Sequence, residues 1–193
     1  MEIKKKILCC LLFLSVMVPM ITNVFGHEKQ DESSNKRPSY WTNEIRHTII
    51  KKYSQKYNMS VCALDDSMPG GIVISTGVGF RINQPISKEK ARQILLECAQ
   101  DYIQEINNKK ELRPYLRDYP VTAKNIDLSL SIHDRNGDQV FYPNIGYASL
   151  SMGKLRYTTR DINDPENVNT VERETFEEAV KKAKEEIPKE DLL

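Results

Sequence analysis

The longest apolar run of the chain lies at its start. Three lysines at positions 4–6 precede the almost uniformly apolar residues 7–21, and Val24-Phe25-Gly26 follow. A basic start, an apolar centre and small residues before a cleavage point are typical of a secretory signal peptide. We predict a signal peptide at residues 1–26, cleaved after Gly26, and export to the periplasm or the extracellular space. The alternative is an uncleaved anchor, because the apolar stretch nearly reaches the length that spans a bilayer.

The next segment, residues 27–38, is polar and shows no apolar period, so we predict a flexible lead-in. A helical stripe follows, in which large apolar side chains recur every four positions: Trp41, Ile45, Ile49 and Tyr53. This spacing predicts a core-facing helix of about eighteen residues that begins near Ser39. We expect a single folded domain over residues 39–188 and a C-terminal tail at 189–193.

Residues 71–82 alternate between larger apolar and small or polar side chains, after a turn at Pro69-Gly70-Gly71. The alternation predicts a strand with one buried face. Its other face carries Gly77, Gly79 and Arg81. Glycines inside a strand indicate a bend or the close approach of another element. A ligand groove is the alternative, which makes these three residues candidate binding residues.

A second helix is predicted after Ser87, whose side chain suits a helix cap. Its apolar ladder runs to residue 107 and consists of Ala91, Ile94, Leu95, Cys98, Tyr102, Ile103 and Ile106. In the ELRPYLRDYP segment that follows, Pro114 suits the first turn of a short helix and Pro120 ends it.

The pattern then changes to that of strands. Apolar and polar residues alternate over 126–132, and Asn136-Gly137 is a strong signal for a hairpin turn. We therefore predict a strand at 126–132 that is paired with an antiparallel return strand at 139–142.

A second hairpin is predicted from the segments 145–151 and 154–160, which turn at Met152-Gly153. Residues 161–169 are polar and contain Asp164-Pro165, so we expect a loop there. Thr175 and Glu178 have the spacing of a capping box, which predicts a final helix that ends at Pro188.

The predicted order is a helix, a strand, a helix, four strands and a helix. It favours the α+β class: an antiparallel meander sheet of about five strands, in the order β-α-β-β-β-β, with helices packed on it and one helix at each end. By this order of elements the chain resembles a cystatin-like roll, in which a sheet wraps one helix. We find no residue motif of that family, and no functional residue is carried over.

Charge excludes some classes of partner. The 193 residues include 28 Lys and Arg and 27 Asp and Glu, so the net charge is +1. A nearly neutral chain gives no electrostatic case for nucleic acid. Membrane contact is expected only through the export segment. The partners that remain are a protein, a peptide or an envelope component.

Two of the four cysteines, Cys9 and Cys10, lie in the predicted signal peptide. The other two, Cys62 and Cys98, would remain in an oxidising compartment and are candidate disulfide partners. The alternative is that Cys98, on the apolar face of its helix, is simply a small buried hydrophobic residue.

Candidate chemistry is sparse. None of the paired spacings CxxC, HxxxH or HExxH occurs, so we predict no metal site, and we predict no cofactor. His133 is the one candidate catalytic residue, as an acid or base beside the hairpin turn. Tyr142, Tyr147 and Tyr157 are candidates for a recognition surface, with core packing as the alternative.

The leading functional prediction is a non-enzymatic exported module that binds a protein, peptide or envelope component. It follows from the signal peptide, the small α+β domain and the absence of a recognisable catalytic motif. One alternative is a small secreted hydrolase that uses His133 with a serine or carboxylate brought near by folding. A second alternative is a secreted inhibitor or effector of another protein.

Overall fold

The computed structural model of the chain describes residues 37–186. The predicted signal peptide, all but the last two residues of the lead-in, the end of the last helix at Pro188 and the tail lie outside the described residues. Three α-helices are present between 37 and 186: α1 (Pro38–Tyr57), α2 (Lys88–Asn108) and α3 (Phe176–Glu186). The same part of the chain contains β1 (Ser60–Ser67), β2 (Ser75–Ile82), β3 (Ile126–Ile132), β4 (Tyr147–Ser151), β5 (Lys154–Asp161) and β6 (Asp164–Thr175).

The six strands form one sheet in the order β1-β2-β3-β4-β5-β6, so each strand lies beside its neighbour in sequence. The pair β2–β3 is parallel and the other four pairs are antiparallel. Parallel strands need a long crossover connection, and here α2 lies within it. The α+β class is confirmed. The wholly antiparallel, cystatin-like arrangement of five strands is wrong, because the sheet is mixed and has a sixth strand.

All three helices lie on one face of the sheet. Alternate residues of β3 are buried on this face, and the strand register places the buried residues of β2 and β4 beside them. Arg46 of α1 donates a hydrogen bond to Thr76, which is paired with Ile126 on the same face. Burial of apolar residues between this face and the helices therefore provides the core.

A buried ion pair fixes α2 to the far edge of the sheet. Arg92 of α2 and Glu174 of β6 have side chains only 1% exposed, and Arg92 Nε donates to Glu174 Oε1 at 2.8 Å. Tyr157 Oη donates to the same carboxylate oxygen at 2.6 Å, and Lys182 of α3 lies 2.9 Å from Glu174 Oε2. The helix face of β6 is thus held by charges that are paired and hydrogen-bonded, as buried charges require.

Several local predictions are confirmed by their hydrogen bonds or backbone angles. The Ser87 side chain accepts a bond from the Lys90 backbone N–H, and Thr175 and Glu178 form both bonds of a capping box. Met152 and Gly153 both have positive φ, as expected for a two-residue hairpin turn of type I′.

The strands of the structure differ from the predictions in three places. The outer strand β1 was not predicted, because it is exposed along most of its length and has no buried face to impose alternation. Residues 164–169 of the predicted loop at 161–169 belong instead to β6, which was missed for the same reason, since its first eight residues are exposed. The return strand at 139–142 is reduced to one bridge between His133 and Gln139, and Ile132 donates instead to the Gly146 carbonyl.

Candidate functional site

The sheet face opposite the helices, called the open face below, has no helix of residues 37–186 packed on it. Its side chains are mostly small, polar or basic. From β1 to β3 they are Ser60, Ala63, Asp65, Gly77, Gly79, Arg81, Asp127, Ser129 and Ser131. From β4 to β6 they are Tyr147, Ser149, Ser151, Lys154, Arg156, Thr158, Arg160, Val168, Thr170 and Arg173.

The two candidate glycines lie where neighbouring strands approach closely. A Cβ atom on Gly77 would lie 1.8 Å from the backbone oxygen of Asp127. On Gly79 it would lie 2.7 Å from Ser129 Oγ and 2.9 Å from the Ala63 side chain. All three distances are too short for non-bonded atoms, so close strand packing accounts for both glycines. Arg81, the third candidate of this segment, is exposed at the end of β2.

Basic residues accumulate on the β5–β6 side of the open face without acidic partners. Arg156 of β5 is directly opposite Arg173 of β6 in the strand register. Within residues 37–186, neither arginine forms an ion pair, and neither do Lys154 and Arg160 of β5. Arg156 Nε instead donates to Thr170 Oγ1 at 3.1 Å. Like charges directly opposite each other destabilise a sheet, so this pair has a cost in the free protein.

The acids of the open face lie on its other side. Asp65 is in β1, and Asp127 of β3 accepts a hydrogen bond of 2.5 Å from Ser151. The described part of the open face therefore has most of its unpaired positive charges on β5 and β6, and Arg81 of β2 is a further one.

A cavity of about 360 Å³ lies at the end of the open face, between β3, β4 and β5. No lining residue is acidic, and the polar side chains of the lining are Ser131, His133, Gln139, Tyr147, Thr158, Thr159 and Arg160. The cavity forms where β4 is shorter than its neighbours, so that Gly146 and not a longer side chain lies between β3 and β5. The cavity is thus a concave, polar site at one end of the open face.

His133 is held in this cavity by two hydrogen bonds. Its Nε2 lies 2.9 Å from Ser131 Oγ, and its Nδ1 lies 3.1 Å from the Gly137 carbonyl oxygen. A carbonyl only accepts, so in the neutral ring we assign the proton to Nδ1. Nε2 then accepts from the Ser131 hydroxyl. Folding thus brings a serine to His133, as the hydrolase alternative requires, although no acidic side chain bonds to the ring among the described residues.

The three candidate tyrosines have different surroundings. Tyr147 is 41% exposed and lines the cavity, and Tyr142 is 74% exposed in the turn before β4. Tyr157 faces the helices, is fully buried and donates to Glu174, which contradicts its assignment to a recognition surface. Burial and the adjacent Glu174 carboxylate raise the pKa of Tyr157 above its usual range. Its role is in packing.

The sequence reasoning missed Ser131, Arg160 and the Arg156–Arg173 pair. Ser131 could have been predicted from the sequence, because residues two apart on a strand share a face and His133 was already a candidate. The opposed arginines depend on the pairing of β5 with β6, and β6 was not predicted.

The structure does not contain the predicted bridge between Cys62 and Cys98, since both are free thiols. Cys62 is exposed at a bulge of β1 between Val61 and Ala63. Cys98 is buried in α2, and burial raises the pKa of its thiol. One side chain is on the outer edge of the sheet and the other is inside the core, so the alternative reading of Cys98 as a buried hydrophobic residue is the better one.

A second concave surface lies in the groove between α2 and α3, with a volume of about 530 Å³. It is lined by acids such as Glu89 and Glu97 and by bases such as Lys90 and Lys184. Glu97 already accepts bonds from Lys56 and Tyr57. This mixture of charges favours no particular ligand chemistry, in contrast to the cavity on the open face.

No group of three or more His, Cys, Asp or Glu side chains within residues 37–186 is placed to hold a metal ion. None of the helices in that range combines the length and apolar character that a membrane crossing needs.

Comparison of the chain with protein-family models, with curated proteins and with solved structures finds no significant match.

Proposed function

We propose that this protein is an exported, non-enzymatic binding module that recognises an acidic segment of a protein or peptide through its open face. The observation that carries the proposal is the pair Arg156–Arg173, two opposed positive charges with no acidic partner in the described chain. Stability alone would favour an opposite charge at one of these positions. Electrostatic complementarity to a partner gives a reason for the pair, because it guides association and selects the partner.

The spacing of the basic residues suits an extended segment. Lys154, Arg156 and Arg160 lie on one face of β5, two and four residues apart. Residues two apart in a strand are separated by about 6.7 Å, and an extended peptide has the same repeat. Acidic side chains at alternate positions of such a peptide would therefore meet the basic residues in register. Arginine and carboxylate groups form strong, charge-assisted hydrogen bonds in this arrangement.

Export is part of the proposal and rests on the signal pattern of residues 1–26. The compartment in which the partner is sought is then the periplasm or the extracellular space. An anionic envelope polymer is the competing partner, and the experiment below distinguishes it from an acidic segment.

The test uses residues 27–193 and a synthetic heptapeptide of alternating Glu and Thr, with a Gln–Thr peptide as the uncharged match. We expect the Glu peptide to bind in isothermal titration calorimetry, to bind less tightly at higher salt, and to protect backbone amides of β5 and β6 from hydrogen exchange. The Arg156→Gln and Arg173→Gln variants should each weaken binding about tenfold, which corresponds to about 1.4 kcal/mol.

The matched control is Lys51→Gln, which removes one exposed positive charge from α1 on the other side of the sheet. It should leave binding unchanged. Equal binding of the Glu and Gln peptides, or an equal loss in Lys51→Gln, would contradict the proposal. Binding of polyphosphate without binding of the Glu peptide would also reject it, in favour of an envelope polyanion.

A second candidate function, a hydrolase, is favoured by the 2.9 Å contact between Ser131 Oγ and His133 Nε2. In that reaction Ser131 Oγ would form an ester bond to an acyl carbon, its proton would pass to Nε2, and the leaving group would depart with that proton before water cleaves the ester. Incubation with 4-nitrophenyl acetate tests it. A hydrolase would release nitrophenol at a rate that Ser131→Ala and His133→Ala both abolish, whereas a binding module would show the same slow background in all three proteins.

A further inference from the structure

The cavity at the end of the open face differs from the rest of that face in being concave and in containing an imidazole. We propose that this cavity binds a carboxylate group, with the Arg160 guanidinium as its charged contact and with His133 taking up a proton from solvent as the carboxylate binds. The inference rests on the proposed function for the source of the carboxylate, which is the acidic segment on the open face.

The lining provides donors and no competing acid. Arg160 Nη1 donates to the Pro165 carbonyl, which uses one of the five N–H groups of its guanidinium and leaves its charge without an ion pair among the described residues. Gln139, Tyr147 and Thr158 line the same cavity and carry amide or hydroxyl donors. A carboxylate accepts several such bonds, and those that involve a charged partner are the strongest.

The Ser131–His133 pair makes the donor set depend on protonation. With a neutral ring, the Ser131 hydroxyl donates to Nε2, so its proton is not available to a ligand. When Nε2 gains a proton it becomes the donor to Ser131 Oγ, because the Gly137 carbonyl continues to accept from Nδ1. The hydroxyl proton of Ser131 can then turn to an anion in the cavity. Protonation thus adds both a positive charge and a donor.

The charged groups around His133 come from several elements. Arg160 of β5 and Tyr147 of β4 share its cavity, and β6 contributes only the apolar Val168. In the turn after β3, the Asp134 carboxylate accepts bonds from the backbone N–H groups of Asn136 and Asp138. Asp138 itself is exposed. Neither carboxylate is part of the cavity lining, in which Arg160 and His133 are the basic side chains.

The experiment follows the imidazole C–H signals of residues 27–193 by NMR while sodium acetate replaces sodium chloride at constant ionic strength and pH 6. We expect the His133 signals to shift with saturation, while those of His47, exposed on α1, stay constant. Repetition at pH 8, where protons are scarcer, should weaken acetate binding several-fold, because binding is proposed to take up a proton at Nε2. Equal shifts of both histidines, or no saturation, would overturn the proposal.

Two arginine variants provide the matched comparison. Arg160→Gln should abolish the saturable shift of His133, and Arg135→Gln, in the exposed turn outside the cavity, should retain it. Retention of the full shift in Arg160→Gln would contradict the assigned contact. The peptide arm compares the Glu–Thr heptapeptide with a free and with an amidated C-terminus. A larger His133 shift with the free terminus identifies a terminal carboxylate, and equal shifts identify a side-chain carboxylate.

The two proposals can fail separately. If acetate binds in the cavity but the Glu–Thr peptide does not bind, the cavity assignment stands and the proposed function is rejected. If the peptide binds through Arg156 and Arg173 while His133 is unaffected by peptide and acetate, the proposed function stands and the cavity assignment is rejected.

Discussion

Consecutive residues of β6 have opposite charges and lie in different electrostatic surroundings. Glu172 and Glu174 point to the helices, and each is held by lysine or arginine side chains. Arg173 between them points to the open face and lies opposite Arg156. The charges on the helix face are paired within the protein, whereas the open face retains positive charge that an external group can neutralise. This contrast within three residues is the reason for placing recognition on the open face.

Glu172 provides a pH-dependent prediction. Hydrogen bonds from Lys182 and Lys88 lower the pKa of Glu172 to about 2, from 4.5. A lowered folded-state pKa adds stability that is complete above pH 4.5 and is lost as the pH falls towards 2. Glu172→Gln should therefore cost about 1 kcal/mol in urea unfolding at pH 7, after allowance for solvent screening, and almost nothing near pH 2.

The control for this series is Glu166→Gln in the exposed part of β6, which should have little effect at either pH. A difference between wild type and Glu172→Gln that stays constant from pH 7 to pH 2 would show that the ion pairs do not stabilise the fold.

At the level of elements, those with their own start and stop signals could be predicted. α2 has Ser87 and α3 has Thr175 with Glu178, and the β4–β5 hairpin has a turn that needs positive φ. β1 and most of β6 are exposed, so their sequences do not need the alternation of apolar and polar residues that a buried face requires. Their strand conformation comes from pairing with β2 and β5, which a local pattern does not contain.

The same distinction applies to the candidate site. His133 and its partner Ser131 lie two residues apart, so their common face follows from strand geometry alone. The opposed Arg156 and Arg173 are seventeen positions apart in number and meet only through the register of β5 with β6. The nearly neutral charge of the whole chain does not reveal this local excess of basic residues, because the acids that balance it lie elsewhere in the chain.

A prediction for the α3 element concerns its cap. Thr175 Oγ1 accepts the Glu178 N–H at 3.2 Å, and Thr175→Ala removes this bond. Loss of such a cap costs about 1 kcal/mol. Amide exchange measured by mass spectrometry should become faster in α3 and stay unchanged in α2. Thr48→Ala, an exposed helical threonine in α1, should not accelerate exchange in α3, and equal acceleration by both variants would refute the role of the cap.

For the whole molecule, export and thiol chemistry can be tested together. We expect protein from its natural producer to be found outside the cytoplasm and to begin at His27 by mass spectrometry. Ellman's reagent should then titrate one thiol, Cys62, in the native protein and two after unfolding in urea, because Cys98 is 2% exposed. A mass beginning at Met1 in the cytoplasm would contradict export, and no titratable thiol in urea would restore the disulfide.

The parallel β2–β3 pair divides the chain into two continuous halves. Every other neighbouring pair of strands is joined by a short connection or by the turns between β3 and β4, whereas α2 and the exposed segment 117–120 separate β2 from β3. Exposed connections are where chains best tolerate interruption. A polypeptide divided within residues 117–120 would give two fragments, each retaining its own hairpins, whose reassembly depends on one row of interstrand hydrogen bonds and on the docking of α2. The natural connectivity thus suits this protein for fragment complementation. A partner that binds the open face would be detected by the extent to which the two fragments reassemble into the complete sheet.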